Sequence, residues 1–146
     1  MFSFTAQHIL IMRLITQFEI NNPSLLHNFL FLASAESLDY HDIGFYDFVR
    51  SKNGAFSPLL QSILEELIIG HLLSKGSFAL TPKGLDTYCA LASALKPFEI
   101  YVDRCFTVYL RHKDNLDQIN ETIKNHIRFR KGKPGKKLFV NDFGHR

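Results

Sequence analysis

Twice between residues 57 and 82 the chain writes the same helix-opening signal, a hydroxyl side chain followed directly by proline: Ser57-Pro58 and Thr81-Pro82. A serine or threonine at the N-cap accepts a hydrogen bond from the first turn. Proline at the first helical position gives up an N–H that has no partner there anyway. After Ser57 the residues Leu60, Ile63, Leu64, Leu67 and Ile68 recur at helical spacing, and Gly70 suits the left-handed residue that closes a helix. In "HLLSKGSFALT", Leu72 and Leu73, then Phe78 and Leu80, flank Lys75-Gly76, which predicts a tight hairpin around the glycine. Capped helix, hairpin, capped helix is a narrow specification, and the rest of the chain must pack around it.

Upstream, Ile9, Leu10, Met12, Leu14, Ile15 and Phe18 predict a helix over 6–18, ended near "NNP". Asn22 then reads as an N-cap, with Pro23 opening a leucine- and phenylalanine-rich helix over 23–36. A third, weaker apolar segment covers "HDIGFYDFVRSKNG", closed by Asn53-Gly54. Downstream, helices are predicted over 82–95, 98–111 and 114–128. On the last of these, Leu116, Ile119, Ile123 and Ile127 form one apolar stripe. "RKGKPGKKLFVNDFGHR" holds three glycines, a proline and a charge run, and reads as a flexible tail. The expected organisation is one domain over 1–128 and a basic tail over 129–146.

The formal net charge of +3 conceals a division. Residues 124–137 carry seven Lys/Arg and no acid, whereas residues 1–123 hold nine Lys/Arg against thirteen Asp/Glu. A mildly acidic body with a basic end is therefore expected, not a basic domain. Apolar runs break well before the ~20 residues of a membrane span. The opening segment lacks a basic start and is interrupted by Arg13, so no signal peptide is read there. Two cysteines make no disulfide framework, and a reduced, cytoplasmic setting is expected, with no membrane partner.

The order of elements is that of a mainly α fold, a winged helix-turn-helix with a two-stranded β-hairpin wing and additional C-terminal helices. "FSPLLQSILEELIIGHLL" followed by "FALTPKG", with "LLHNFLFLA" upstream, resembles the Panacea-domain antitoxins and the related YwgA-like proteins over roughly Leu25 to Leu95. In those a Gly-Pro-(Phe/Tyr)-Ser segment opens a helix, a Gly-Leu-Ile-like segment ends it and Leu-Thr-x-Lys-Gly closes the wing. Here Gly54-Ala55 stands for Gly-Pro and Gly70-His71-Leu72 for Gly-Leu-Ile. The resemblance implies a winged scaffold and a protein partner encoded nearby, but it brings no functional residues, because the matching positions are structural.

The residues bear on three functions. A DNA-reading winged helix needs a polar or basic recognition helix. The helix after Ser57 offers Gln61, Ser62, Glu65 and Glu66, and the wing only Lys75, with Lys83 after it. The carboxylates repel phosphate, so nucleic-acid contact would fall to the run Arg128, Arg130, Lys131, Lys133, Lys136 and Lys137. For an enzyme, the seven histidines have no metal-ligand spacing, and Cys89 and Cys105 lie among apolar neighbours. Asp39, His41 and Asp42 cluster as turn formers do, and Glu65 and Glu66 point to different helix faces. No catalytic residue, metal or cofactor is expected.

The expectation is therefore a non-catalytic protein-interaction module, a homodimer of an antitoxin-like, defence or regulatory type. Its partner surface would combine Glu65 and Glu66 with the Leu116, Ile119, Ile123, Ile127 stripe. A winged-helix DNA-binding regulator is the alternative and an uncharacterised enzyme the third.

Overall fold

The computed structural model describes residues 4–38 and 43–139; Asp39, His41, Asp42 and the last seven residues of the expected tail lie outside them. Four of the described helices open on Thr, Asn or Ser caps. Thr5 caps α1 (Ala6–Gln17), Asn22 caps α2 (Pro23–Ala35), Ser57 caps α3 (Pro58–Ile69) and Thr81 caps α4 (Pro82–Leu91). Each cap is worth ~1 kcal/mol. In the last three, proline takes the first helical position, as the sequence signals.

α2 is buried along almost its whole length, from Leu25 to Ser34, including His27 and Asn28. A helix apolar on every side needs neighbours on every side. It finds them in β2 (Gly54–Phe56), α5 (Glu99–His112) and α6 (Ile119–Asn125), while α1 packs against α4, β4 (Ala79–Leu80) and the 3-10 segment Ala92–Phe98. Aromatic rings fill the centre. Phe18 stacks on Tyr109 at 4.6 Å between centroids, and Phe31 meets Phe48 edge-on at 5.7 Å. Among the described residues no helix is long and apolar enough to cross a membrane.

Among the described residues there are two separate antiparallel hairpins. β3 (Leu73–Ser74) and β4 (Ala79–Leu80) lie where the sequence places a hairpin. The loop between them is four residues, and the positive φ falls on Phe78 rather than Gly76. Phe78 is buried and Leu80 packs against the core, so the hairpin is tied down from its second arm.

Four expectations are corrected. The third segment is not helical: β1 (Val49–Ser51) and β2 (Gly54–Phe56) form a hairpin around Lys52-Asn53. Gly54 has φ +121° there, and a side chain would run into Asn28. Asn28 fixes the hairpin, accepting the Ala55 N–H at 2.9 Å and donating to Asn120 at 2.7 Å. Next, α3 ends at Gly70 with φ −78°, and the left-handed residue is His71, φ 62°. The Leu72 N–H reaches the Leu67 carbonyl at 2.9 Å and the His71 N–H reaches Ile68 at 3.0 Å, the paired bonds of a Schellman motif.

The predicted 114–128 helix is in fact three pieces. A 3-10 segment (Lys113–Gln118) with Asn115 outside the helical region leads to α6, and extended backbone at His126 separates α6 from α7 (Ile127–Lys131). The apolar stripe is broken with it. Ile119 and Ile123 are fully buried inside the domain and Leu116 packs against the core, so none of these three is open to a partner; Ile127, beyond the break, is 62% exposed.

Finally, the beginning of the basic tail is folded. Lys133-Pro134-Gly135-Lys136 makes a turn closed by the Lys136 N–H to the Lys133 carbonyl at 3.0 Å, with Gly135 at φ +76°. Pro then Gly at the centre is the signature of a type II turn. The same two residues that suggest looseness in the sequence impose order in this setting.

Candidate functional site

The folded tail forms a strap across β1, and Arg50 is the residue that holds it. Its N–H donates to the Lys136 carbonyl at 3.2 Å and its carbonyl accepts from Gly135 at 2.8 Å. Its guanidinium donates to the carbonyls of Phe129 and Gly132, at 3.2 and 2.8 Å, and lies 4.6 Å from the centre of the Phe129 ring. Further along, the Leu138 N–H donates to Phe48 at 2.8 Å. Phe139 enters the aromatic cluster of Phe31, Tyr46 and Phe48, with centroids 5.4, 5.6 and 6.2 Å away. Burying Leu138 and Phe139 offsets the entropy of ordering the strap, each apolar side chain contributing ~1.5–3 kcal/mol.

Between hairpin and strap lies an open cleft of about 610 Å³, lined by Arg50, Ser51, Lys52, Lys124, Phe129 and Pro134 among others. Segments 50–52 and 122–139 together carry nine Lys/Arg and no Asp or Glu. Lys52, Lys124, Arg130, Lys131, Lys133, Lys136 and Lys137 are exposed, whereas Arg50 and Arg128 are half-buried. Lys124 pairs with Glu121 at 3.5 Å on the exposed side of α6, a contact worth little in water. Burial lowers the pKa of His126 at the α6–α7 break, and the Arg128 charge lowers it further against an opposing pull from Glu36. The cleft thus has cationic walls, with further lysines on the strap beside it.

The other expected contact residues are distributed differently. Glu66 stays partly exposed, its carboxylate 3.2 Å from Nε2 of the buried His8 on α1. Glu65 stays exposed and accepts from Gln61 at 3.3 Å; Gln61 also meets Nε2 of His27 at 3.2 Å. Ser62 is exposed, Lys75 sits exposed in the β3–β4 loop, and Lys83 donates to the Gly70 carbonyl at 3.3 Å. The outward face of α3 thus presents Leu59, Ser62, Glu65 and Ile69, with no cation. Lys133, Lys136 and Lys137 lie on the strap that pairs with β1, beside Arg50 and Lys52, which the sequence reading did not join to them, whereas Arg130 and Lys131 line a separate depression with Ile127. The signal of Arg50 and Lys52 was "RSKNG", two cations before an Asn-Gly hairpin turn.

One serine, one histidine and one aspartate do come together, and their bonding gives them another task. Ser57 Oγ donates to Asp47 and accepts from Leu60, while the second Asp47 oxygen accepts from the Leu59 N–H at 2.8 Å. His27 Nδ1 accepts the Ser57 backbone N–H at 3.0 Å, not its hydroxyl. All three groups are occupied in closing the N-terminus of α3. Among the described residues no group of three or more His, Cys, Asp and Glu has the proximity to hold a metal ion. Burial pushes the Cys105 thiol far above its ordinary range, which suppresses the thiolate.

Compared with known proteins, the chain matches no family model, and neither a curated protein nor a solved structure is significantly similar to it.

Proposed function

We propose that the chain is a non-catalytic binding module, on a winged helix-turn-helix scaffold, that engages the phosphate backbone of nucleic acid through its C-terminal basic face. The observation that carries this reading is the strap on β1, which brings a lysine-rich segment against a cleft lined by Arg50, Lys52 and Lys124, with no acid in residues 50–52 or 122–139. Neutralising phosphates releases counterions, the main source of sequence-independent affinity. A concave cleft suits a ridge of phosphates better than the plane of a bilayer. α3, where such scaffolds place the recognition helix, supports no part of this contact, because its open face carries Glu65 and no cation.

The test is fluorescence anisotropy on a short DNA duplex at low salt, with anionic vesicles and polyglutamate as competitors. The triple variant Lys133→Glu/Lys136→Glu/Lys137→Glu is expected to lose at least about 100-fold in affinity, while Glu65→Lys does not weaken binding. Equal binding by the triple variant, or a preference for vesicles or polyglutamate over DNA, sinks the reading.

A second reading rests on α3. Ile69 is 76% exposed and Leu59 41% exposed, beside Glu65, an apolar and acidic face suited to a protein partner. This is the antitoxin-like reading, with the partner encoded nearby and the module acting as a homodimer. Ile69→Lys combined with Glu65→Lys should abolish co-purification of that partner; unaltered recovery would remove α3 from consideration.

A further inference from the structure

Resting on the nucleic-acid reading above, we infer that the basic face takes double-stranded rather than single-stranded nucleic acid. Proteins hold single strands with two devices together, cations along the backbone and open aromatic rings on which bases stack, each stacked base contributing ~1–3 kcal/mol. This face has the first device and has closed the second. Phe129 and Phe139 flank the lysine run in sequence, yet each is only 5% exposed. The Arg50 guanidinium covers the ring of Phe129 at 4.6 Å, and that of Arg128 lies 5.3 Å from the centre of Phe139. Phe139 also packs against Phe31, Tyr46 and Phe48. Both rings are committed to anchoring α7 and the strap, and among the described residues lining this cleft no other aromatic ring offers a base a face.

What remains to be recognised is charge. Lys52 and Lys124 line the cleft, and the turn carries Lys133 and Lys136 outward beside Lys137. A duplex presents charge more densely than a strand, one phosphate per ~1.7 Å of axis, and releases ~0.9 counterions per contact against ~0.7 for a single strand. For about six contacts that difference favours the duplex about tenfold at ~0.1 M salt. Lysines on phosphates read no base edges, so the preference is for duplex form and indifferent to sequence.

Anisotropy titrations of the full chain against two unrelated DNA duplexes and an oligothymidylate strand of equal phosphate count test this. Expected are equal affinities for the two duplexes, each about tenfold tighter than for the strand at ~0.1 M salt. Equal or tighter binding to the strand overturns the inference and leaves the nucleic-acid reading standing. A strong preference for one duplex over the other overturns sequence indifference. No binding to any of the three at low salt overturns the nucleic-acid reading itself.

Discussion

Gly84 illustrates how a residue can be demanded by a neighbour instead of by its own torsions. It sits in the first turn of α4, and any Cβ there would run into the backbone carbonyl oxygen of Leu72, which also accepts the Thr81 N–H at 3.0 Å. Gly84→Ala should cost ~1–3 kcal/mol in urea unfolding, the usual cost of overpacking. His71 is the reverse case, a side chain where glycine fits better. His71→Gly relieves a left-handed non-glycine residue and should stabilise by ~1 kcal/mol, read as a rise in Tm.

His27 carries a pH dependence. Burial lowers its pKa, against opposing contributions from the Gln61 hydrogen bond and the Asp47 charge. The unfolded chain binds this proton near pH 6.5, and the folded one only at lower pH. Stability from this site is therefore complete above pH 6.5 and falls as pH drops from there towards the lowered value. The lowered pKa values of His112 and His126 act in the same direction. Urea unfolding of His27→Gln across this range should show a shallower loss than the wild type; an unchanged slope would exclude His27 as a source.

At the scale of elements, Arg50 decides whether the strap exists. Arg50→Ala removes two hydrogen bonds from a cation to backbone carbonyls and uncovers Phe129. The expected loss is ~2 kcal/mol, together with faster tryptic cleavage within residues 130–137. Unchanged cleavage would mean that the strap does not depend on Arg50. Which elements were legible follows the range of their determinants. The α2, α3 and α4 starts were readable because a cap and a proline act within one turn. The β1–β2 hairpin was not resolved because its pairing depends on Asn28, 27 residues from Ala55 in sequence. The α6–α7 break at His126 has no glycine or proline to announce it, so the stripe ran through it on paper. The cationic face was half legible: its lysine run stands in the sequence, but the docking of that run onto Arg50 and Lys52 is tertiary.

At the scale of the whole molecule, the acidic-apolar surface of α3 and the basic run stand on different elements. The acidic-apolar outer surface of α3 belongs to the body, and the cations gather where the chain returns over β1. A winged scaffold that reads DNA through α3 would need those cations on α3. Under the proposed reading, nucleic-acid binding belongs to the C-terminal segment supported by the first hairpin. The most direct measurement is the salt dependence of duplex binding by the wild-type chain and by Lys133→Glu/Lys136→Glu/Lys137→Glu. A plot of log Kobs against log salt should have a slope of about −5 to −7 for the wild type, with the variant shallower by about 3. A slope near zero, or one unchanged in the variant, would contradict a phosphate-binding strap.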